Sequence, residues 1–223
     1  MIRALIFDFD GLIVDTESPE FKAWQAVFDE YGGSLSLEDW AGSIGSREPC
    51  LDPYAELKRQ TGRSVVREEV RARKRELFQL FFTDRGMLPG VREYLEGAQR
   101  MGLAIGLASS ASRDWIEGHL ERLKIGSYFA AVRTEEDVER AKPDPELFLA
   151  AMAALGVSSE EAIALEDSPN GLLAAKSAGM FCLAVPNPIT RQLELEGADL
   201  RVDSLADLPL EQLLAIAGER EVA

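Results

Sequence analysis

The chain has 223 residues, enough for one large domain or for a core domain with a smaller companion, and its hydrophobic share of 46% is that of an ordinary globular protein. Its formal net charge of −15 argues against nonspecific binding to nucleic acid or anionic membranes, because these polyanions would repel it. The two cysteines, Cys50 and Cys182, are far apart and in no metal-ligand spacing, which argues against a disulfide scaffold and against zinc.

The first residues form a strand pattern instead of a basic leader, and no apolar run approaches the roughly 20 residues that a membrane span requires. We therefore expect a soluble, cytoplasmic protein with no nucleic-acid partner and no membrane partner. For its assembly we expect a monomer or a weak dimer.

The first predicted strand, residues 4–7, is followed directly by acidic residues. The stretch LIFDFDGLIVD places Asp8 and Asp10 where a buried strand would end. An unpaired carboxylate in apolar surroundings is costly unless it is neutralised. We therefore predict that a positively charged group lies against this pair.

The next segment, from about residue 17 to residue 85, has helical periodicity and no convincing strand. Apolar residues between positions 21 and 28 recur on one helical face, and the later part is heavily charged. Arg67, Arg71 and Arg75 share a face there, but glutamates are interleaved with them. This mixture is typical of a solvated helix and argues against a nucleic-acid surface.

Beyond that segment, three more apolar runs are typical of buried strands: residues 103–108, 162–165 and 181–185. Helical patterns lie between them, with predicted ends at Ser112, Gly156 and Gly179. Strands that alternate with helices predict an α/β fold, a Rossmann-like doubly wound parallel sheet with helices on both faces. We expect a core domain of residues 1–15 and 87–223, with an inserted all-helical cap domain of residues 16–86.

His119 is the single histidine of the chain, so any Ser-His-Asp or Cys-His mechanism would have to use it. It lies in DWIEGHLERL, where Trp115, Ile116 and Leu120 recur at helical spacing. The pattern predicts a helix-surface residue at the edge of an apolar face. We therefore do not expect histidine-dependent catalysis.

Four groups of polar residues follow predicted strands or lie in the loops after them. They are Asp8 with Asp10, Ser109 in LASSAS, Lys142 in AKPDPELF, and Glu166 with Asp167 in IALEDSPNG. The carboxyl ends of parallel strands converge, so these groups are predicted to form one site. Carboxylates from two strands, with no histidine, suit Mg²⁺, which together with Lys142 would supply the expected positive charge.

These four motifs, in this order and spacing, resemble those of the haloacid dehalogenase superfamily. The helical segment after the first motif resembles the small cap of beta-phosphoglucomutases and sugar-phosphate phosphatases. The resemblance covers essentially the whole chain. It implies a Mg²⁺-dependent phosphatase that acts on a small phosphorylated metabolite, in the first place a sugar phosphate.

The resemblance also implies roles for the residues of the four motifs. Asp8 would attack phosphorus and form an aspartyl-phosphate, and Asp10 would protonate the leaving oxygen and later activate water. Ser109 would donate a hydrogen bond to the phosphoryl group, and Lys142 would neutralise charge on that group and on Asp8.

The implied magnesium ligands are the side chains of Asp8 and Asp167 and the backbone carbonyl of Asp10. Glu166 would be either a further ligand or a residue that holds a water beside the ion. The carboxylate of Asp8 would thus serve both the ion and the reaction.

Candidate substrate-binding residues in the helical segment follow from the same resemblance. Arg47 in GSREP matches an arginine that contacts substrate phosphate in mutase-like relatives, and Lys74 falls near a cap lysine of those relatives. Thr16 and Glu20 are included because the mutases have a histidine four residues after the position of Thr16, where this chain has glutamate.

Departures from the family patterns favour hydrolysis of a phosphate ester. Dehalogenases lack the second aspartate, so Asp10 favours phosphoryl chemistry over halide chemistry. Phosphonate hydrolases use a cap lysine as a Schiff base, but Lys22 lies in KAWQAV and is expected to be solvated. Glu20 replaces a histidine that is thought to orient the residue equivalent to Asp10 in mutases, which favours a hydrolase over a mutase.

Two alternatives stay open at this point. The first is a hexose phosphomutase of the beta-phosphoglucomutase type. The second is a non-catalytic metabolite-binding protein on the same fold, which the intact set of motif residues argues against. Fold alone does not choose among them, because function resides in the site.

Overall fold

A computed structural model describes residues 1–41, 44, 51–83 and 86–219. Within these residues, six parallel strands form one sheet. They are β1 (Ala4–Phe7), β2 (Ala104–Ala108), β3 (Ala131–Arg133), β4 (Ala162–Glu166), β5 (Phe181–Ala184) and β6 (Leu200–Arg201). Their order across the sheet is β3-β2-β1-β4-β5-β6. The predicted α/β class and the doubly wound parallel sheet are confirmed.

The order of the strands fixes where a ligand site can form. From β1 the chain adds β2 and β3 on one side, and it then returns to pair β4 with the other side of β1. In an open parallel sheet such a reversal leaves a crevice at the carboxyl ends of the two adjacent strands. The residues that follow β1 and β4 therefore meet at this crevice.

All four predicted strands are present, and each agrees with its predicted bounds to within one residue at either end. The edge strands β3 and β6 were missed, because they have only three and two residues and are partly exposed. An apolar run of that length does not stand out from a loop.

Both faces of β1 are covered, as its unbroken apolar sequence requires. Leu5 and Phe7 belong to one buried apolar cluster, whereas Ala4 and Ile6 belong to another on the opposite face. All four side chains are fully buried. This central strand is therefore a rigid support for the residues that follow it.

The described residues form nine α-helices. They are α1 (Glu17–Tyr31), α2 (Leu37–Ala41), α3 (Pro53–Thr61), α4 (Arg67–Phe81), α5 (Val91–Arg100), α6 (Arg113–Leu123), α7 (Glu146–Leu155), α8 (Pro169–Ser177) and α9 (Leu210–Glu219). Ser112 directly precedes α6, as predicted. Gly156 and Gly179 follow α7 and α8 with φ of +66° and +79°, a conformation that ends helices and favours glycine.

Helices α1 to α4 form a helical insert between β1 and β2 with its own apolar cluster. Phe21, Trp24, Val27 and Phe28 of α1 are buried in that cluster, and Phe78 of α4 joins them. This confirms the predicted helical face in α1. Within the described residues no helix is both long and apolar enough to cross a membrane.

The prediction for His119 was wrong, because its side chain is buried and not on the helix surface. Its ring packs against Trp115, Phe9 and Phe82, with ring centroids 4.2, 5.6 and 5.4 Å away. Burial, and then the charge of Arg122, lower the pKa of His119 to about 4. The spacing within α6 could not show this, because Phe9 and Phe82 come from distant parts of the chain.

Candidate active site

Three carboxylates meet where the carboxyl ends of β1 and β4 lie side by side. Asp8 follows β1, Glu166 ends β4, and Asp167 follows it. The backbone N–H of Asp8 donates to the carbonyl of Leu165 at 3.0 Å, which continues the pairing of the two strands into the site. One oxygen from each carboxylate lies within 4.8 Å of the others. The predicted convergence of these residues is confirmed.

Lys142 is the positive group that the acidic pattern required. Its Nζ donates to Oδ1 of Asp8 and to Oε1 of Glu166, each at 2.5 Å, and its side chain is 1% exposed. Burial alone would lower the pKa of Lys142, but the two adjacent carboxylates outweigh burial and raise it. The lysine is therefore charged and fixed between the two acids.

One ammonium does not balance three buried carboxylates. Burial is the main cause that raises the pKa of Asp8, Glu166 and Asp167, and the attraction of Lys142 opposes it at all three. Repulsion from Asp8 raises the pKa of the other two further. Clustered carboxylate oxygens with a negative excess fit a hard divalent cation such as Mg²⁺, which prefers oxygen ligands.

Asp167 is held by a residue that the sequence analysis did not identify. Asn187 Nδ2 donates to Oδ2 of Asp167 at 2.6 Å, while Oδ1 of Asn187 accepts from the backbone N–H groups of Ile189 and Thr190 at 2.8 and 3.0 Å. Asn187 lies three residues after β5, at the same edge of the sheet. Asn187 could have been predicted as a site residue, because it is a polar residue that follows the fourth predicted strand.

Two glycines let the chain pass close to these acids. Gly11 has φ of +87°, and a Cβ added there would lie 2.3 Å from Oδ2 of Asp167. A Cβ on Gly171 would lie 2.0 Å from Cδ of Glu166. Both distances are shorter than any tolerated contact, so a side chain at either position would displace a carboxylate of the site.

Asp10 lies in the turn after β1 and faces a different set of groups. Its Oδ1 accepts a hydrogen bond from Nε1 of Trp115 in α6 at 2.9 Å. Burial, and then repulsion from Asp8, raise the pKa of Asp10 to about 6, whereas the side chains of Trp115 and Thr16 act in the opposite direction. The two aspartates of the first motif are thus in different environments, one paired with an ammonium and one with an indole.

Ser109 lies directly after β2 and is buried. Its backbone N–H donates to the carbonyl of Arg133 at 2.9 Å, and its hydroxyl oxygen accepts from the N–H of Ala111 at 3.1 Å. The hydroxyl accepts that bond through a lone pair, so its own proton can be donated. Ser109 and Ser110 both line the cavity described next.

A cavity of about 730 Å³ lies between this edge of the sheet and the helical insert. Its size is within the range of small-molecule sites. Asp8 and Asp10 form part of its floor, and aromatic residues contribute much of its wall, namely Trp24, Trp40, Tyr54, Phe78 and Trp115. A small ligand in this cavity would lie between carboxylates below and aromatic rings above.

Helix α4 contributes cations to the same cavity. Arg71, Lys74 and Arg75 line it. Arg71 and Arg75 are exposed, which confirms that this face of the helix is solvated. The sequence did not predict that both residues line a cavity. The sequence shows three arginines on one face of this helix, but the sequence alone does not indicate that this face borders a ligand site.

Of the substrate-binding residues predicted in the helical segment, Thr16, Glu20 and Lys74 line the cavity. Nζ of Lys74 lies 2.5 Å from Oε1 of Glu20, and that oxygen also accepts from Nε1 of Trp24 at 3.2 Å. Thr16 is buried next to the start of α1 and lines the cavity. Lys22 is exposed, as expected. Arg47 lies outside the described residues.

Glu17 is a further acidic residue of the cavity that the sequence analysis passed over. It begins α1 and lines the cavity beside Thr16. Burial, and then repulsion from Asp10 and Glu20, raise its pKa well above the ordinary value. Its position directly after the first motif was the only available signal.

Comparison with known proteins places this site in a family context. Residues 5–185 match the family model described as haloacid dehalogenase-like hydrolase. YhcW of Bacillus subtilis (strain 168), which is named as a phosphatase, is 44% identical over 214 residues, covering 96% of this chain and 97% of YhcW. Hexitol phosphatase B of Escherichia coli (strain K12) is 33% identical over 218 residues, covering 96% and 97%.

The fold is also found among solved structures. The crystal structure of beta-phosphoglucomutase from Clostridium difficile has a TM-score of 0.76 and 29% sequence identity, and the match covers 100% of each chain. Similarity therefore extends to relatives named as phosphatases and to relatives named as mutases. The choice between these two reactions depends on the residues of this chain.

Proposed function

The chain belongs to the haloacid dehalogenase-like hydrolases, and we propose that it is a phosphatase that hydrolyses a small phosphorylated metabolite, with sugar phosphates as the substrate class. The observation that carries the proposal is the buried contact of Lys142 with Asp8 and Glu166. Asp167 belongs to the same cluster of carboxylates, and Asp10 follows Asp8 by 2 residues in the sequence. The names of YhcW and hexitol phosphatase B support it.

Asp8 and Asp167 are the proposed ligands of Mg²⁺, together with the backbone carbonyl of Asp10. The ion supplies positive charge that offsets the carboxylates and the oxygens of a bound phosphoryl group. Oε1 of Glu166 is bonded to Lys142, and Oε2 accepts from the N–H of Asp167 at 3.1 Å. These contacts favour a supporting role for Glu166 over direct ligation.

In the first proposed step, a carboxylate oxygen of Asp8 attacks phosphorus. The new O–P bond forms as the bond from phosphorus to the leaving oxygen breaks, and Asp10 gives its proton to that oxygen. Lys142 and Ser109 stabilise the negative charge on the phosphoryl oxygens. The alcohol leaves, and Asp8 carries the phosphoryl group.

In the second step, water attacks phosphorus and the bond to Asp8 breaks. Asp10, now ionised, takes a proton from the attacking water, so that it returns to its starting state. Phosphate then leaves the site. Because the pKa of Asp10 is raised to about 6, both of its protonation states are accessible near neutral pH.

A hydrolase is favoured over a mutase by the contacts of Glu20. The mutases have a histidine at this position, which is thought to orient the residue equivalent to Asp10. Glu20 is a carboxylate, so it brings no positive charge to Asp10, and its Oε1 is already paired with Lys74 and Trp24. The helical insert lines one side of the cavity, and as a cap it would keep out large substrates such as phosphoproteins.

Several attributes belong to the same proposal. They are a core domain of residues 1–15 and 87–223, a cap domain of residues 16–86, a cytoplasmic location, and a monomeric or weakly dimeric state. The cap residues of the cavity would then choose the substrate.

The test is phosphate release from a broad panel of sugar phosphates and nucleotides by the purified protein with Mg²⁺. We expect turnover of at least one sugar phosphate, and a loss of about 10⁴-fold in Asp8→Asn, because the nucleophile is removed. Beta-glucose 1-phosphate with a bisphosphate primer separates the alternatives: glucose 6-phosphate as the product identifies a mutase, and free phosphate a hydrolase. No release from the whole panel would contradict the proposal.

A further inference from the structure

Trp115 contacts the reacting part of the site from a helix of the sheet core. Its indole N–H donates to Oδ1 of Asp10 at 2.9 Å across 105 residues of sequence. Its ring also lines the cavity. Neither the four sequence motifs nor the proposed reaction steps give this residue a role.

We propose that Trp115 is a positioning residue that fixes which oxygen of Asp10 carries the transferable proton. This inference rests on the proposed phosphatase function. It concerns the efficiency with which Asp10 protonates the leaving group, and not the binding of substrate.

The indole N–H can only donate a hydrogen bond, so the oxygen that it contacts must act as an acceptor. In a protonated carboxyl group the carbonyl oxygen is a much better acceptor than the hydroxyl oxygen, so the hydrogen bond from Trp115 favours Oδ1 as the carbonyl oxygen of Asp10. The proton is thereby placed on Oδ2, away from Trp115. The Thr16 hydroxyl forms no hydrogen bond of ordinary geometry with Asp10. A hydroxyl can also donate or accept, so Thr16 does not choose the oxygen.

The consequence for the reaction is geometric. The proton on Oδ2 passes to the leaving oxygen as the bond from phosphorus breaks and its electron pair moves to that oxygen. Without Trp115 the carboxyl group could rotate, and either oxygen could carry the proton. A carboxyl group that is held in the productive orientation transfers its proton more efficiently than one that must first rotate into that orientation.

The indole itself is held firmly. Its ring packs against His119 with centroids 4.2 Å apart, and against Phe78 and Phe82 at 5.8 and 6.2 Å. His119 and Phe82 pack on the side of the ring cluster that does not line the cavity. Trp115 therefore belongs to a packed cluster, and its N–H has little freedom to leave Asp10.

The experiment compares two leaving groups in Trp115→Phe. An alkyl phosphate such as a sugar phosphate needs protonation of its leaving oxygen, whereas 2,4-dinitrophenyl phosphate does not. We expect kcat/KM for the alkyl phosphate to fall about 10-fold to 100-fold, and kcat/KM for the dinitrophenyl ester to change less than about threefold. The ratio kcat/KM is used because it reports the step in which the leaving group departs.

Phe82→Leu is the matched control. It disturbs the same aromatic cluster without removing the hydrogen bond, because Phe82 contacts Trp115 and His119 and does not line the cavity. We expect any change to be equal for the two substrates. An equal loss for both substrates in Trp115→Phe, or no loss for either, would overturn the inference.

A second measurement does not require Trp115→Phe to be stable. The chain has three tryptophans, so its ¹⁵N spectrum has three indole signals. Single substitutions of Trp24 and Trp40 assign their signals, and the remaining signal belongs to Trp115. Asp10→Ala should shift the Trp115 signal far more than the signals of Trp24 and Trp40, and an unmoved signal would refute the hydrogen bond. A wild-type protein that hydrolyses neither ester is a separate outcome, which contradicts the proposed function itself.

Discussion

The two walls of the cavity differ in how their charges are held. On the sheet side, Asp8, Lys142 and Glu166 are buried and bonded to one another. On the side of the helical insert, Arg71 and Arg75 are exposed and stand among aromatic rings. Buried charges must be matched to one another to be tolerated, whereas exposed charges are screened by water and can be changed cheaply.

This difference predicts a division of labour between chemistry and selectivity. The sheet side is a fixed set of groups for phosphoryl transfer, and replacing any of them should affect folding and turnover together. The insert side can vary its side chains with little cost in stability, which suits the choice of a leaving group. Substitutions on the two walls should therefore differ in their effects on stability and on turnover.

The largest effect is expected for Lys142→Met. Removing the ammonium leaves Asp8 and Glu166 buried without a partner, which should lower the free energy of unfolding by about 3–5 kcal/mol and abolish turnover. Urea titration at neutral pH measures it. Lys176→Met is the control, since Lys176 is paired with Asp199 at 2.5 Å but is 26% exposed, and it should cost about 1 kcal/mol or less. Equal costs would mean that burial does not distinguish the two pairs.

Magnesium should stabilise the sheet side selectively. If Mg²⁺ binds the folded carboxylates, a concentration of 100 times Kd should add about 2.7 kcal/mol to the free energy of unfolding. Asp167→Asn should remove most of this gain, and Asp203→Asn, at an exposed position, should leave it intact. Thermal melts with Mg²⁺ and with EDTA measure the gain. Its persistence in Asp167→Asn would place the ion elsewhere.

On the insert side, Arg75→Ala should change substrate binding and little else. We expect KM to rise roughly fivefold with kcat nearly constant, because one exposed charge contributes about 1 kcal/mol at most. Arg100→Ala is the matched control, with a side chain that is 70% exposed at the end of α5. A large fall in kcat, or in the melting temperature, would break the proposed division between the walls.

An effect that is small at neutral pH and grows in acid is expected for His119, behind the cavity wall. Its pKa is about 4 when folded and about 6.5 when unfolded, so the unfolded chain binds more protons between these values. The stability that neutral His119 contributes is complete above pH 6.5 and is lost as the pH falls toward 4. His119→Phe should therefore lose less stability than wild type between pH 7.5 and 5. An ordinary pKa for this single histidine by NMR would contradict the expectation.

Much of the sheet side could be predicted from sequence because the rule that builds it is local. Each acidic or basic group follows a short apolar run, and parallel strands bring their ends together. Asp8, Ser109 and Asp167 were located in this way. The same reasoning failed for β3 and β6, which are too short to show an apolar run.

The contacts that sequence did not reveal join distant parts of the chain. Trp115 and Asp10 are 105 residues apart, and the partners of His119 come from the first motif and from the end of α4. The periodicity of α6 gives the face of each residue but not what covers it. From the sequence, the cations of α4 were recognised only as part of a charged helix. The fold shows in addition that they line a cavity.

The central claim is that Asp8 takes up the phosphoryl group from the substrate. The most direct measurement mixes the protein with a sugar phosphate that it hydrolyses and Mg²⁺, quenches with acid within milliseconds, and maps the added mass by peptide mass spectrometry. We predict that one phosphoryl group is found on Asp8 and is absent from Asp8→Asn. A phosphoryl group on another residue, or turnover with none on the protein at any quench time, would contradict the account.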